Sequence, residues 1–364
     1  MSDASVAEGD GDADTEARDL LERLVAIPSP TGEERACTEA LVEFLEAHGR
    51  EAYLDEVGNV RAPADDALLL TSHVDTVPGD IPVRVERGGS DAGTGEEGPV
   101  LWGRGSVDAK GPLVAMAVAA VRTGASFAGV VGEEVDSPGA RHLIEDREAP
   151  DALVNGEPSG TDGITLGYRG ILSGTYLATS ESGHTSRPEN NAIQDAMDWW
   201  NRVVARFEPE DEWDPVFEQV TAKPTRFEGG LGADGLSVEA TMDVSLRVPP
   251  SMTVEEVREI ADGELDPEVG TVNWTDGVPP TMQSPRTDVA RAFRVAIRGQ
   301  GLEPRLVRKT GTADMNIYAG EWDCPMVTYG PGDSDLDHAP DERLPLRELD
   351  RAVAVLTDAA GRLL

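Results

Sequence analysis

The sequence predicts an α/β protein with a smaller α+β domain inserted into it. Three observations carry that expectation. Residues 15–167 alternate short apolar strands with helix-periodic segments, the pattern of an α/β layer architecture. Residues 168–279 change to the order β-α-β-β-α-β, a ferredoxin-like split. After Pro280 the α/β pattern resumes, so the larger domain is discontinuous, 15–167 plus 280–364. Residues 1–14 are acidic and lack an apolar stretch, which excludes a signal peptide and predicts a disordered tail.

Each element has its own reason. Residues 38–48 set Leu41, Phe44 and Leu45 at helical spacing, with Gly49 as the stop. Residues 67–70 are an apolar strand running into Thr71-Ser72-His73. Residues 112–121 predict a buried helix, an apolar run too short to span a bilayer. A strand over 127–131, a helix opened by Pro138 and a strand over 152–154 follow. In the insert, 171–179 is a strand, and 191–207 a helix presenting Ile193, Met197, Trp200 and Val204 on one face; Trp199-Trp200 is expected to be core. Residues 217–227 are strand-like, and Pro224 demands an edge or a bulge. Residues 236–248 alternate strictly, with Leu236, Val238, Ala240, Met242, Val244, Leu246 and Val248 on one side. A helix over 253–265 and a strand over 270–274 complete the insert. Beyond it come a helix over 288–298, strands over 305–307 and 325–329, and a closing helix over 346–364.

Charge narrows the functions open to the chain. Lys and Arg total 31 against 69 Asp and Glu, a net charge of −38. Such a field repels nucleic acid and anionic membranes. Only Lys110, Lys223 and Lys309 are lysines. An acid-coated, lysine-poor surface resembles that of halophilic proteins, with an ordinary acidic protein as the alternative. Cys37 and Cys324 fit no metal or redox spacing and predict buried free thiols. The chain is expected to be soluble and cytoplasmic. Among so many acids, the five histidines are the scarcer signal.

Functional groups of open α/β sheets collect beyond the carboxyl ends of strands. His73-Val74-Asp75 stands there: His73 can ligate a metal, and Asp75 can orient it. Asp108 lies in Gly103-Arg104-Gly105-Ser106-Val107-Asp108-Ala109-Lys110-Gly111, which lacks the pattern of a phosphate-binding loop. Glu133-Glu134 follow a strand directly, where adjacent side chains point opposite ways. One can bind metal while the other serves as general base; the competing reading is two solvated acids. Glu157 and His338 also follow strands. Two histidines and three carboxylates suit two zinc-like ions bridged by one carboxylate. His48, near a helix C-terminus, and His142 have packing or surface readings.

The succession H-x-D, G-R-G-x-x-D-x-K-G, G-E-E, a later Glu and a C-terminal His resembles the M20 family of zinc-dependent amidohydrolases and exopeptidases, from about Thr15 onward. The resemblance implies a zinc-exopeptidase-like α/β/α catalytic domain with an inserted ferredoxin-like lid that mediates homodimerisation. It implies two Zn²⁺, with Co²⁺ as a substitute. Asp108 would bridge, His73 and Glu157 would complete one metal, and Glu134 and His338 the other. Glu133 becomes the general base and acid, and Asp75 the residue orienting His73. Gly183-His184-Thr185-Ser186-Arg187-Pro188, with Asn191 after it, matches the lid motif whose histidine stabilises an oxyanion in the partner's site. Arg247 matches the family's carboxylate-binding arginine; a solvated strand arginine balancing Asp243 is the alternative.

Lys309-Thr310-Gly311-Thr312-Ala313-Asp314-Met315-Asn316 enters a turn that opens a helix, and offers N–H groups plus a cation to an anion. This run and Tyr329-Gly330-Pro331-Gly332-Asp333-Ser334 resemble the archaeal branch that releases lysine or ornithine from the C-terminal glutamate of a small acidic amino-group carrier protein, in lysine or arginine biosynthesis. Arg305, Arg308 and Lys309 form a candidate basic rim for that carrier. Alternatives within the family are N-acetylornithine deacetylase, succinyl-diaminopimelate desuccinylase and dipeptidase. Outside it stand a non-catalytic metal-binding scaffold and a metal-free carboxylate-pair hydrolase.

Overall fold

The computed structural model describes residues 10–90, 97–184, 186, 188–209, 211 and 213–364. The elements in chain order are α1 (Asp10–Val25), α2 (Arg35–Ala47), β1 (Tyr53–Leu54), β2 (Val60–Ala62), β3 (Asp65–His73), β4 (Arg84–Ser90), β5 (Glu97–Trp102), α3 (Lys110–Thr123), β6 (Ala125–Val130), α4 (Pro138–Asp146), β7 (Leu153–Gly156), β8 (Gly160–Tyr168) and β9 (Gly170–Glu181). They continue with α5 (Ala192–Arg206), β10 (Thr221–Leu231), β11 (Ser237–Val248), α6 (Val254–Asp262), β12 (Gly270–Trp274), β13 (Thr281–Met282), α7 (Asp288–Gly299), β14 (Arg305–Lys309), α8 (Asp314–Glu321), β15 (Met326–Gly330), β16 (Arg343–Pro345) and α9 (Leu346–Ala360).

Two units result. One comprises Met1–Leu166, Gln283–Val307 and Ala313–Leu364; the other Gly167–Met282 and Arg308–Thr312. Of the tail expected over 1–14, residues 1–9 lie outside the described residues. Residues 10–14 fall within the bounds of α1. The buried stripe Ala17, Leu20, Leu21 and Leu24 secures the helix, and propagation from an anchored helix costs little per residue.

The first unit is built on a mixed sheet whose order runs β1-β2-β6-β3-β7-β15-β8. β6, β3, β7 and β15 are mutually parallel, so their carboxyl ends share one edge. β2 and β8 pair antiparallel to their neighbours. Parallel strands covered on both faces read as continuous apolar runs, as Leu68-Leu69-Leu70 does. Helix α3 is buried from Lys110 to Ala120, and its alanines let neighbouring elements approach closely. A three-stranded sheet, β16-β5-β4, and the strands β1, β2 and β8 have no counterpart in the sequence expectation.

In the second unit four antiparallel strands lie in the order β10-β11-β9-β12. Counted along β9, β10, β11 and β12 this is 2-3-1-4, the ferredoxin-like order. β10 is an edge strand with a register shift between Pro224 and Arg226, as a proline without an N–H requires. Two details differ from the periodic reading. Helix α5 buries Ala192, Ala196, Trp199, Trp200 and Val203, while Met197 is 49% exposed. Trp199, stacked on Tyr176, belongs to the buried face together with Trp200, while Met197 does not. Leu236 precedes β11 and is 74% exposed.

Candidate active site

Parallel topology assembles the site at the shared edge of the first unit. β3 ends at His73, β6 ends at Val130, three residues before Glu133, β7 ends just before Glu157, and Asp108 lies two residues before the start of α3. His338 stands beyond β15 at φ 60°, and the Asp108–Ala109 peptide is cis.

Asp108 is the hub. Its Oδ1 lies 3.1 Å from His73 Nε2, and its Oδ2 3.2 Å from His338 Nε2. Glu157 Oε2 is 3.9 Å from His73 Nε2, and Glu134 Oε2 is 2.9 Å from His338 Nε2. Two trios result, His73–Asp108–Glu157 and Asp108–Glu134–His338, each compact enough to hold a metal ion and sharing Asp108. The donors fit such ions: nitrogen and carboxylate oxygen suit zinc, and Glu134 Oε1 is buried without a hydrogen-bond partner.

Asp75 braces this centre from behind. His73 Nδ1 faces the Asp75 carbonyl oxygen at 3.0 Å, so Nδ1 carries the proton and Nε2 is left to ligate. The Asp75 carboxylate accepts from Glu133 N at 3.0 Å, Glu134 N at 3.1 Å and Thr31 Oγ1 at 2.8 Å.

The electrostatics call for cations. Burial raises the Glu133 carboxyl well above its usual range, and Glu157 adds to the effect. Burial and Asp108 push Glu134 up to about 7. Burial pushes Asp314, at the start of α8, up to about 6. Burial also works against ionising Asp108, yet its bonds to the two histidines hold it well below the carboxylate range. The bond to Asp108 lifts His338 to about 9. Carboxylates so crowded and buried are costly unless neutralised.

The glycine-rich stretch 103–111 does hold an anion, but one from its own chain. Glu342, fully buried, accepts from the N–H groups of Gly105, Val107 and Asp108 at 3.1, 2.8 and 3.1 Å. Arg104 Nη1 donates to the same carboxylate at 2.8 Å. Gly105 has φ +82°, and a Cβ there would stand 2.7 Å from Thr76 Cγ2. Lys110 is structural: its Nζ donates to Leu24 O at 3.0 Å and Ile27 O at 2.8 Å. Glu342 escaped the sequence reading, and Asp314 entered it only within the 309–316 run, with no role of its own. An H-x-x-x-E spacing after His338 was the available signal for Glu342.

Arg247, His184, Asn191, Lys309 and Gly311 sit in the second unit. Arg247, on β11 and half-buried, donates from Nη1 to Thr312 Oγ1 at 3.2 Å, beside Gly311. His184 is exposed, with Nδ1 2.8 Å from Ser186 Oγ; Thr185 and Arg187 lie outside the described residues. Asn191 caps helix α5, its side chain accepting from Ile193 N and Gln194 N at 3.1 Å each. Lys309 is half-buried at the end of β14. The expected basic rim is largely neutralised, since Arg305 makes a two-bond pair with Asp162 and Arg308 pairs with Glu218. His48 caps α2 through Phe44 O, His142 lies 3.9 Å from Asp55, and both cysteines are buried free thiols.

Known proteins resemble this chain in sequence and in fold. A LysW-lysine hydrolase of Deinococcus radiodurans is 39% identical over 95% of this chain and 97% of its own length. Among solved structures, the aminopeptidase PepT of Bacillus cereus superposes with TM-score 0.77 at 19% identity, covering 96% of this chain and 98% of that one. The Bacillus subtilis YxeP protein, a dinuclear metal-binding peptidase, superposes with TM-score 0.67 at 14% identity, covering 96% and 98%. Residues 69–362 match the model of peptidase family M20/M25/M40, and the chain belongs to that family of metal-dependent hydrolases.

Proposed function

We propose that the chain is a dinuclear zinc amidohydrolase that releases lysine or ornithine from the C-terminal glutamate of a small acidic carrier protein. The observation that carries this reading is the 39% identity, over nearly the full length of both chains, to a LysW-lysine hydrolase. The bond cleaved is then a side-chain amide rather than a main-chain peptide. Among the described residues no helix is long and apolar enough to cross a membrane.

His73, Asp108 and Glu157 would hold one ion, and Asp108, Glu134 and His338 the other. Bound there, zinc, or cobalt in its place, supplies Lewis acidity that polarises the scissile carbonyl and acidifies the attacking water. Glu133 takes that water's proton and hands it to the leaving amine, and the burial that raises its pKa suits both steps. Asp75 fixes His73 and the backbone of Glu133. Arg247 binds a substrate carboxylate with its guanidinium fork, with Lys309, Gly311 and Asn191 in supporting roles. His184 donates to the oxyanion of the other protomer in a homodimer formed through the inserted unit. The exposed edge strand β10 is consistent with such pairing.

The test compares amine release from the lysine conjugate of the carrier, its ornithine conjugate and free N-acetylornithine, each with and without a chelator. Turnover of a carrier conjugate, abolished by chelation, is expected. Preference for N-acetylornithine would move the chain to the free small-molecule branch. Turnover that survives chelation would point to a metal-free carboxylate pair.

A further inference from the structure

Strand pairing brings two ligand-bearing loops under one carboxylate. β16 pairs antiparallel with β5, Arg343 opposite Trp102. One residue beyond that pair stand Glu342 on one side and Gly103 on the other, and Gly103 N–H donates to the Glu342 carbonyl at 3.4 Å. The Glu342 side chain therefore enters the mouth of the 103–108 loop. Successive N–H groups there form a concave nest, the kind of feature that binds anions. Glu342 fills it with both oxygens, Oε1 on Val107 and Asp108, Oε2 on Gly105 and Arg104. Four residues upstream on the same strand-leading segment is His338.

We propose that Glu342 is a positioning residue for the metal centre: it fixes the backbone of Asp108 and ties that loop to the one bearing His338. Asp108 must present one oxygen to each histidine, and its direction is set by a loop rich in glycine that has little stiffness of its own. The bond from Asp108 N–H to Glu342 acts one residue away from the ligating oxygens. Acting through the ligand, Glu342 resembles the outer partners that orient metal ligands, whose loss costs roughly 10- to 100-fold in affinity or activity.

This inference rests on the dinuclear reading of the site, and Co²⁺ titration of the full-length protein separates the two. The probe is Co²⁺ alone, followed by calorimetry and visible absorption, with thermal unfolding of the metal-free proteins alongside. Glu342→Gln keeps the shape but turns an NH₂ toward Gly105 N–H and Arg104. It is expected to weaken Co²⁺ binding about 10- to 100-fold, to alter the absorption band, and to lower kcat with KM unchanged at saturating metal. Glu342→Asp keeps the charge one methylene short and should recover part of the affinity. If both variants bind Co²⁺ as the wild type does, with the same spectrum and only a lower unfolding temperature, the residue merely supports the fold and the proposal is overturned. Failure of both variants to fold overturns it equally. A wild-type protein that binds no Co²⁺ overturns the metal reading itself, and this inference with it.

Discussion

The carboxylate of Asp75 holds the general-base candidate Glu133 by its backbone, Oδ1 accepting the Glu133 N–H at 3.0 Å. The second oxygen takes the next N–H, that of Glu134, at 3.1 Å. That side chain thus sets the turn that separates the candidate base from the candidate ligand, while the backbone carbonyl of Asp75 sets the tautomer of His73.

Asp75→Asn tests that arrangement. The amide keeps one acceptor and turns a donor toward a backbone N–H, so one of the two turn bonds is lost. Metal affinity and kcat should each fall about 10- to 100-fold, the usual effect of removing an outer partner. Metal titration and steady-state kinetics read the result. Values matching the wild type would remove Asp75 from the site's machinery.

Glu133→Gln addresses the base itself. Gln cannot accept a proton, yet none of the five donors of the two trios is touched. Turnover should drop by about 10²- to 10⁴-fold, the span attributed to positioned acid–base groups, while metal content stays at the wild-type ratio. A variant that keeps its rate transfers the role elsewhere. Loss of metal together with rate would make Glu133 a ligand.

Why the candidate ligands were readable and Glu342 was not has a physical basis. His73 ends an apolar strand and Glu134 and Glu157 follow others within four residues, and parallel strands deliver their ends to one edge, so strand position picked the two glutamates out of 69 acids. His338 was readable because histidine is scarce here. Glu342 follows no long apolar strand, since β16 is only three residues. Its burial depends on β16 meeting β5, a pairing between segments more than 200 residues apart with no periodic signal. Asn191 shows the reverse limit. The motif placed it beside the candidate histidine His184, and its side-chain oxygen also caps helix α5, a structural role that any N-terminal Asn before an apolar run can play. The β-α-β-β-α-β order survived because β11 alternates over its whole length, and on α5 Trp199 joins the buried face while Met197 leaves it.

Arg247→Ala and Arg247→Lys examine substrate anchoring. Arg247 makes one hydrogen bond to Thr312, which leaves the rest of its fork for a carboxylate. A charge-assisted bond contributes about 1.5–3 kcal/mol, so removing it should lower kcat/KM roughly 10- to 100-fold, mostly through KM. Lysine should recover little, because an ammonium cannot make the paired bonds of a guanidinium. Full recovery by lysine would mean that Arg247 supplies charge alone, and an unchanged KM in both variants would return it to the strand surface.

Salt should stabilise this protein. With 31 basic and 69 acidic residues, at most 31 acids can pair one-to-one, which leaves 38 to repel one another. Screening weakens exposed pairs such as Arg291–Asp288 and Arg362–Asp358, but isolated surface pairs contribute only about 0–1 kcal/mol each. Repulsion among the excess acids is the larger quantity, and it is screened as the Debye length falls from about 10 Å at 0.1 M to about 3 Å at 1 M. The unfolding temperature should therefore climb steeply between those KCl concentrations. Sucrose, which strengthens burial without screening charge, should raise it less at equal osmolality. If KCl lowered the unfolding temperature, attractive pairs would outweigh the excess, and the acid-rich surface would not be an adaptation to salt.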